Sequence, residues 1–198
     1  MTFEEYYNCS KNLRPFDLAS NPFGFGEQKG ECSDESAHMP ILEYFASLCN
    51  RIVEFGFRTG SSTCAFSKGL GKSGDLISVD IVESPKVYLF KSFQMPCRWR
   101  FCVGDTSQKG LDIPSCDLLH IDTLHTFNQV KKELELYGNF ARKFLTFHDT
   151  YSQGIKSLDN SSEEGINRAI DEWTLVNGFK LIYSVNFNHG LRIYERVQ

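Results

Sequence analysis

The chain has 198 residues, of which 41% are hydrophobic and 23% are charged, and its formal net charge is -4 with a pI near 5.7. This balance is typical of a globular protein with a real core and excludes a disordered chain, while the lack of a basic excess disfavours nucleic acid as a partner. No apolar run approaches the ~20 residues that span a bilayer. Because the acidic, aromatic N-terminus also lacks a signal peptide's basic start, we expect a cytoplasmic protein without membrane attachment.

Residues 1–37 show no clear periodicity and contain Pro15, Pro22 and several spaced glycines, so we predict an irregular N-terminal extension. Residues 38–198 then alternate between helix-like and strand-like segments, which predicts one domain. Strands are predicted at 51–57, 75–81, 98–105, 116–122, 143–149, 179–185 and 190–197. Such alternation is typical of a mainly parallel sheet with helices on both faces, and the short link between the last two strands predicts an antiparallel hairpin.

The helices are predicted from apolar stripes and from capping residues. Ile41, Phe45 and Leu48 mark one face of the first helix, and Phe127, Val130, Leu134 and Tyr137 mark a later one. Ser61 or Ser62 is predicted to cap the helix at 61–70. Ser161 and Glu164 have the spacing of a capping box before a stripe of Ile166, Ile170, Trp173 and Val176 that Gly178 closes.

A glycine turn follows the first strand, in the run Glu54-Phe55-Gly56-Phe57-Arg58-Thr59-Gly60-Ser61-Ser62. Glycines let the backbone turn sharply and approach a ligand, and the helix behind them offers unpaired N–H groups. Its GxxxG spacing differs from the GxGxxG of dinucleotide-binding turns. We expect a ligand here, because open α/β sheets bind ligands at the carboxyl ends of their strands.

Acids follow the next two strands at corresponding places. Asp80 ends the second strand, where a carboxylate is placed to accept hydrogen bonds from a ribose. Asp105 follows Gly104 after the third strand and could reach an adenine amine. Either acid could instead cap a helix or turn, but three successive strand ends with ligand-type residues favour a nucleoside site.

These residues resemble the class I S-adenosylmethionine-dependent methyltransferases. Glu54 to Gly60 is similar to that family's first motif, Asp80 to its ribose-binding acid, and Gly104-Asp105 to its adenine-side motif. The resemblance implies a Rossmann-like three-layer α/β/α sandwich, with a mainly parallel seven-stranded sheet in the order 3-2-1-4-5-7-6 and one antiparallel strand. It also implies S-adenosylmethionine as the cofactor, bound by Glu54, Gly56, Thr59, Gly60, Ser61, Ser62, Asp80, Gly104, Asp105 and Asp122.

A narrower resemblance is to small-molecule O-methyltransferases of the methyltransferase family 24 type. It lies in Glu54–Ser61, in Ile121-Asp122-Thr123-Leu124-His125-Thr126 and in His148-Asp149-Thr150. Members often have a glycine where this chain has Thr123, and a Pro-Gly-Gly turn where it has Asn139–Lys143. Related enzymes place a base at the position of His125, which implies His125 and Asp122 as catalytic residues.

The acids and histidines at the last two of these strand ends are also candidate metal ligands. Asp122, His148 and Asp149 could hold Mg²⁺, which prefers oxygen ligands and would orient a substrate hydroxyl. Alternatively, Asp122 and Asp149 cap the following helix and loop, and His148, like His120, is a satisfied strand histidine. His189 is expected to be a surface turn residue.

The leading hypothesis is an enzyme that transfers a methyl group from S-adenosylmethionine to a hydroxyl of a small molecule, such as a sugar or natural product. A non-catalytic S-adenosylmethionine- or nucleoside-binding module is the alternative, and a nicotinamide dehydrogenase is disfavoured by the GxxxG spacing. A homo-oligomer is left open.

Overall fold

The computed structural model of the protein describes residues 1–12, 36–156 and 164–197. The helices in these residues are α1 (Phe3–Asn12), α2 (Met39–Ser47), α3 (Ser61–Leu70), α4 (Pro85–Ser92), α5 (Phe127–Tyr137) and α6 (Ile166–Val176). The strands are β1 (Arg51–Phe55), β2 (Asp75–Asp80), β3 (Arg98–Val103), β4 (Cys116–Ile121), β5 (Ala141–His148), β6 (Phe179–Val185) and β7 (Leu191–Arg196). All seven predicted strands are therefore present, with ends that shift by a few residues.

The strands form one sheet in the order β3-β2-β1-β4-β5-β7-β6. Strands β1 to β5 pair in parallel, whereas β7 runs antiparallel to both β5 and β6. The predicted fold class, strand order and closing hairpin are confirmed. Because β1 lies at the centre, the carboxyl ends of β2, β1, β4 and β5 lie side by side at one edge of the sheet.

Two apolar cores cover the two faces of the sheet. Successive side chains of a strand point to opposite faces, so Ile52 and Leu118 pack against α1 to α4 while Val53 and Leu119 pack against α5 and α6. Strands buried on both faces read as continuous apolar runs, which is why the sequence indicated a parallel sheet. No helix in the described residues is long and apolar enough to cross a membrane.

Residues 3–12 of the predicted irregular extension are helical. Tyr6 is fully buried, with its ring 5.1 Å from that of Phe90, and its hydroxyl donates a 2.6 Å hydrogen bond to the carbonyl of Thr59. Helix α1 thus packs into the core and contacts the turn after β1. Residues 13–35 lie outside the described residues, and the domain boundary at residue 37 stays a prediction.

The predicted apolar face of α2 is confirmed for Ile41 and Phe45, which pack against the core, but not for Leu48. Met39, Leu42 and Ala46 are the buried residues of this helix, whereas Leu48 lies beyond its last residue and is 44% exposed. Positions 39, 42 and 46 have the three- and four-residue spacing of one helical face, and that face is the one turned toward the core. Ile41 and Phe45 lie beside it and are only partly buried.

The predicted capping of α6 was also wrong. The helix begins at Ile166 after Gly165, and no side chain caps it. Glu164 is exposed and forms an isolated bridge with Lys156, while Ser161 lies outside the described residues. Val176 is 77% exposed because it is the last residue of the helix, and Gly178 follows with the positive φ of 71° expected of a C-terminal glycine.

Candidate functional site

Gly56 lets the turn after β1 pass directly over the end of β4. Its φ is +91°, and a Cβ there would lie 1.9 Å from the carbonyl oxygen of Asp122. The backbone N–H of Gly56 donates to Val79 of β2, and that of Asp122 donates to Phe55 of β1, each at 2.9 Å. A backbone atom cannot move away as a side chain would, so this close approach requires glycine.

Gly60 makes room for aromatic rings rather than for a ligand. It precedes α3 with a φ of +82°, and a Cβ would lie 2.4 Å from Cζ of Phe90 and 3.1 Å from Cζ of Phe57. The predicted capping of α3 was wrong: Ser61 and Ser62 lie inside the helix, and no side chain caps it. Gly60 is required because the aromatic cluster under α3 occupies the space of a side chain.

Glu54 is a fully buried carboxylate behind the turn. It accepts hydrogen bonds from the hydroxyls of Ser62, of Thr63 at 2.6 Å and of Ser78 at 2.6 Å, and so joins β1 to α3 and β2. Burial raises its pKa to about 7, although the neighbouring His120 and the three hydroxyls act in the opposite direction. Glu54 therefore links β1, α3 and β2 by hydrogen bonds on the buried side of the turn.

A pocket of about 350 Å³ runs along the ends of the first four strands. Its size falls within the range of small-molecule sites. It is lined by Gly56, Arg58, Val79, Asp80, Ile81, Gly104, Asp105, Thr106, Ser107, Asp122, Thr123, Leu124 and Gln129. Half of the residues predicted to bind the cofactor are in this lining, namely Gly56, Asp80, Gly104, Asp105 and Asp122. The other half, Glu54, Thr59, Gly60, Ser61 and Ser62, lie outside it.

Two of the three acids in the pocket lining, Asp80 and Asp105, also fix the backbone around the pocket. Asp80 Oδ2 accepts hydrogen bonds from the backbone N–H groups of Phe57 at 2.9 Å and Arg58 at 3.2 Å, so this carboxylate points at the glycine turn. Asp105 Oδ1 accepts from the hydroxyl and the backbone N–H of Ser107 at 2.7 and 2.8 Å, and these bonds lower the pKa of Asp105. Both carboxylates therefore lie at the pocket wall in fixed orientations.

Two aspartates and two histidines meet where β4 and β5 end. His125 Nε2 lies 3.0 Å from Asp122 Oδ1 and 2.9 Å from Asp149 Oδ2. His148 Nδ1 lies 3.2 Å from Asp149 Oδ2 and 3.6 Å from Asp122 Oδ1. We call these four residues the Asp–His cluster; all are largely buried, and Asp122 belongs to both the cluster and the pocket wall.

The protonation of the cluster follows from these contacts. Burial alone would lower the pKa of His125, but its hydrogen bonds to Asp122 and Asp149 raise it to about 10. Burial would raise the pKa of Asp122, yet the charge of His148 and hydrogen bonds from His125 and His148 hold it well below its usual value. The same two histidines lower the pKa of Asp149 against the effect of burial. As the side chains stand, His125 is an imidazolium at neutral pH.

The turn between β6 and β7 makes polar contacts with this cluster. Asn188 and His189 both have positive φ values, 43° and 66°, and the carbonyl of Asn188 lies 3.2 Å from Nε2 of His148. The carbonyl of His189 accepts from the backbone N–H of Tyr151 at 2.8 Å, and its ring Nδ1 lies 3.8 Å from Asp149 Oδ1. His189 is half exposed, as predicted for a turn residue, but it also lies at the edge of the site.

The geometry of the cluster fits a divalent cation. One ligand atom from each of Asp122, His148 and Asp149 can be chosen so that all lie within 4.8 Å of one another. Two carboxylates suit a hard ion such as Mg²⁺, and an imidazole adds a nitrogen ligand. His120 takes no part: it is fully buried in β4, and its Nδ1 lies 2.9 Å from the hydroxyl of Thr146.

A family model described as a methyltransferase domain matches residues 53–150. That segment begins in β1, ends just after Asp149, and contains all the residues of the pocket and of the cluster. The sheet to which its strands belong has the order that the resemblance implied. The chain contains a methyltransferase domain with the class I S-adenosylmethionine-dependent methyltransferase fold.

Solved structures share the fold of this methyltransferase at low sequence identity. Cofactor-bound Rv0187 from MTB is 16% identical with a TM-score of 0.61, over 99% of this chain and 90% of that one. An O-methyltransferase from Bacillus cereus in complex with SAH is 13% identical with a TM-score of 0.60, over 98% and 90%. A putative caffeoyl-CoA O-methyltransferase from Staphylococcus aureus is 15% identical with a TM-score of 0.59, over 80% and 82%. No curated protein sequence matches significantly.

Sequence reasoning missed one buried acid of the methyltransferase. Glu133 in α5 is fully buried directly behind the pocket wall, where it accepts hydrogen bonds from the side chains of Thr106, Thr123 and Gln129. Burial raises its pKa to about 7 against the effect of these bonds. The signal was present, because Glu133 interrupts the apolar stripe of Val130, Leu134 and Tyr137 at a position that faces the core.

Proposed function

We propose that this methyltransferase transfers the methyl group of S-adenosylmethionine to a hydroxyl group of a small molecule. One observation carries the proposal: Asp122 lies in both the strand-end pocket and the Asp–His cluster. A cofactor in the pocket would therefore have its reactive end beside a carboxylate–imidazole pair. Methyl transfer needs this proximity, because the acceptor oxygen must approach in line with the carbon–sulfur bond.

The cofactor orientation follows from the pocket lining. We place the ribose at Asp80, whose carboxylate reaches the pocket wall next to the Gly56 turn. The adenine then lies toward Gly104 and Asp105, where the exposed side chains of Ile81 and Leu124 offer apolar surface for a flat ring. The cofactor-bound and SAH-bound neighbours with this fold support a nucleoside ligand at this edge of the sheet.

We assign His125 as the base that removes the acceptor proton, with Asp122 as the group that orients it. A divalent cation held by Asp122 and Asp149 would offset the two negative charges that raise the pKa of His125, and so leave its imidazole neutral and able to accept that proton. The 3.0 Å contact between His125 Nε2 and Asp122 Oδ1 fixes the imidazole at the pocket end of the cluster. In the reaction the carbon–sulfur bond breaks, an oxygen–carbon bond forms, and the hydroxyl proton passes to the imidazole. Such proton transfer to a positioned histidine contributes typically 10²–10⁴-fold to a rate.

Asp122, His148 and Asp149 would hold a divalent cation such as Mg²⁺. When bound, the ion would orient the acceptor hydroxyl and lower its pKa. The residues of the cluster themselves position the acceptor beside the pocket and exclude water from it, since their side chains are largely buried. The cytoplasmic location and the small-molecule acceptor class rest on the sequence and on the O-methyltransferase neighbours.

A methylation screen by mass spectrometry tests the proposal. The enzyme is incubated with S-adenosylmethionine, Mg²⁺ and a panel of hydroxylated sugars and phenols, and products heavier by one methyl group are sought. We expect His125→Ala to lower the rate at least about 100-fold while S-adenosylhomocysteine still binds. Tight cofactor binding by wild type without any methylated product would instead support the non-catalytic module.

A further inference from the structure

A single buried carboxylate controls the hydrogen-bonding character of one end of the pocket. Thr106 follows β3, Thr123 follows β4, and Gln129 lies in the first turns of α5; all three line the pocket. Their side chains converge on Glu133, which has no exposed surface. The Thr123 hydroxyl lies 2.8 and 3.0 Å from its two oxygens, and the Gln129 amide nitrogen lies 2.8 Å from Oε1.

The direction of these bonds is fixed by chemistry. An ionised carboxylate only accepts hydrogen bonds, and a threonine hydroxyl has one proton and two lone pairs. Thr106 and Thr123 therefore donate their only hydroxyl protons to Glu133. The amide nitrogen of Gln129 donates to Glu133 Oε1 and lies 3.3 Å from Thr106 Oγ1, in nearly the same direction, so one amide proton is shared between these two acceptors.

The two threonine hydroxyls can therefore act only as acceptors toward a ligand, because their oxygens keep lone pairs but no free proton. Asp105, at the same end of the pocket, adds another acceptor. A ligand group that donates hydrogen bonds is matched at these oxygens, whereas a group without protons meets only their lone pairs.

We propose that Glu133 is a positioning residue that fixes the two threonine hydroxyls at the adenine end of the pocket as hydrogen-bond acceptors, and thereby selects a base that carries an amino group. The inference rests on the proposed function, since it assumes that the nucleoside of the cofactor occupies this pocket. Glu133 acts through Thr106, Thr123 and Gln129 and does not touch the ligand itself. Glu133 is therefore expected to change the relative affinity for bases with and without an amino group. An acid that only stabilised the fold would not change that ratio.

The probes are S-adenosylhomocysteine and its analogue in which hydrogen replaces the 6-amino group of adenine. Titration calorimetry at about pH 8.5, above the pKa of Glu133, gives the ratio of the two dissociation constants. Because a lost hydrogen bond at a desolvated site costs tenfold or more in affinity, we expect wild type to prefer the adenosyl compound by at least about tenfold.

Glu133→Gln is the test variant and Glu135→Gln, an exposed glutamate on the same helix, is its control. The glutamine amide can donate a hydrogen bond, which turns one threonine proton outward into the pocket. We expect the preference of Glu133→Gln to fall to about threefold or less through weaker adenosyl binding, while the control keeps the wild-type ratio. Thr123→Val serves if Glu133→Gln does not fold: it should weaken adenosyl binding and leave the analogue unchanged.

Equal binding of both compounds to wild type would overturn the inference and leave the proposed function standing. An unchanged preference in folded Glu133→Gln would overturn it as well. If wild type binds neither compound at millimolar concentration, the proposed function itself fails, and the inference fails with it.

Discussion

Glu54 makes the stability of the fold depend on pH in a direction unusual for a carboxylate. Burial raises its pKa from 4.5 to about 7 in the folded protein. The folded state therefore binds a proton that the unfolded state releases, and the protein loses stability as pH rises from about 4.5 to about 7. At about 1.4 kcal/mol per pH unit, the full loss is about 3 kcal/mol. That is a large part of the ~5–15 kcal/mol by which most domains are stable.

Glu54→Gln removes this titration and keeps the size of the side chain. The hydroxyls of Ser62, Thr63 and Ser78 can rotate to accept from the amide as well as donate to it, so the variant remains hydrogen-bonded. Urea unfolding at several pH values gives the free energy of unfolding of both proteins. We expect the variant to gain about 3 kcal/mol relative to wild type between about pH 4.5 and about pH 8.

A stability difference that stays constant over this pH range would refute the reasoning, because it would mean that Glu54 is ionised in the fold as easily as in water. Glu133→Gln offers an independent repeat, since burial also raises the pKa of Glu133 to about 7. The two carboxylates lie on different elements, and their contributions should add.

Three further predictions concern the turn, the ribose acid and the metal. Gly60→Ala should destabilise the fold by about 1–3 kcal/mol more than Gly110→Ala, which also replaces a positive-φ glycine but meets no atom within 4 Å; thermal unfolding measures both. Asp80→Ala should weaken S-adenosylhomocysteine binding at least about tenfold in calorimetry, whereas exposed Asp112→Ala should not. Mg²⁺ at about ten times its dissociation constant should raise the wild-type melting temperature by about 3–6 °C, and a similar rise in Asp149→Asn would contradict the assigned ligands.

The fold was predictable from the sequence because its signals are local. Apolar runs such as Arg51–Phe55 and Cys116–Ile121 alternate with amphipathic segments, and the short link before Leu191 indicated the hairpin. The pocket residues at the strand ends were predictable for a related reason: parallel strands place their carboxyl ends at one edge, so Asp80, Asp105 and Asp122 had to lie near one another.

The roles of other residues depend on contacts that sequence spacing does not contain. Gly60 is required by the ring of Phe90, thirty positions later, and Glu54 is enclosed by hydroxyls from two different elements. His189 is near the cluster only because the β6–β7 turn folds back over Asp149. For Gly60, Glu54 and His189 alike, the environment of the residue is set by contacts with residues far away in the sequence, and sequence spacing does not show these contacts.

A crystal structure of the protein with S-adenosylhomocysteine would show directly where the cofactor binds. We expect the ribose hydroxyls on the Asp80 carboxylate, the adenine between Ile81 and Leu124, and the sulfur on the side of Asp122 and His125. Density for the ligand anywhere else, or a pocket that stays closed to it at saturating concentration, would contradict the proposed cofactor site.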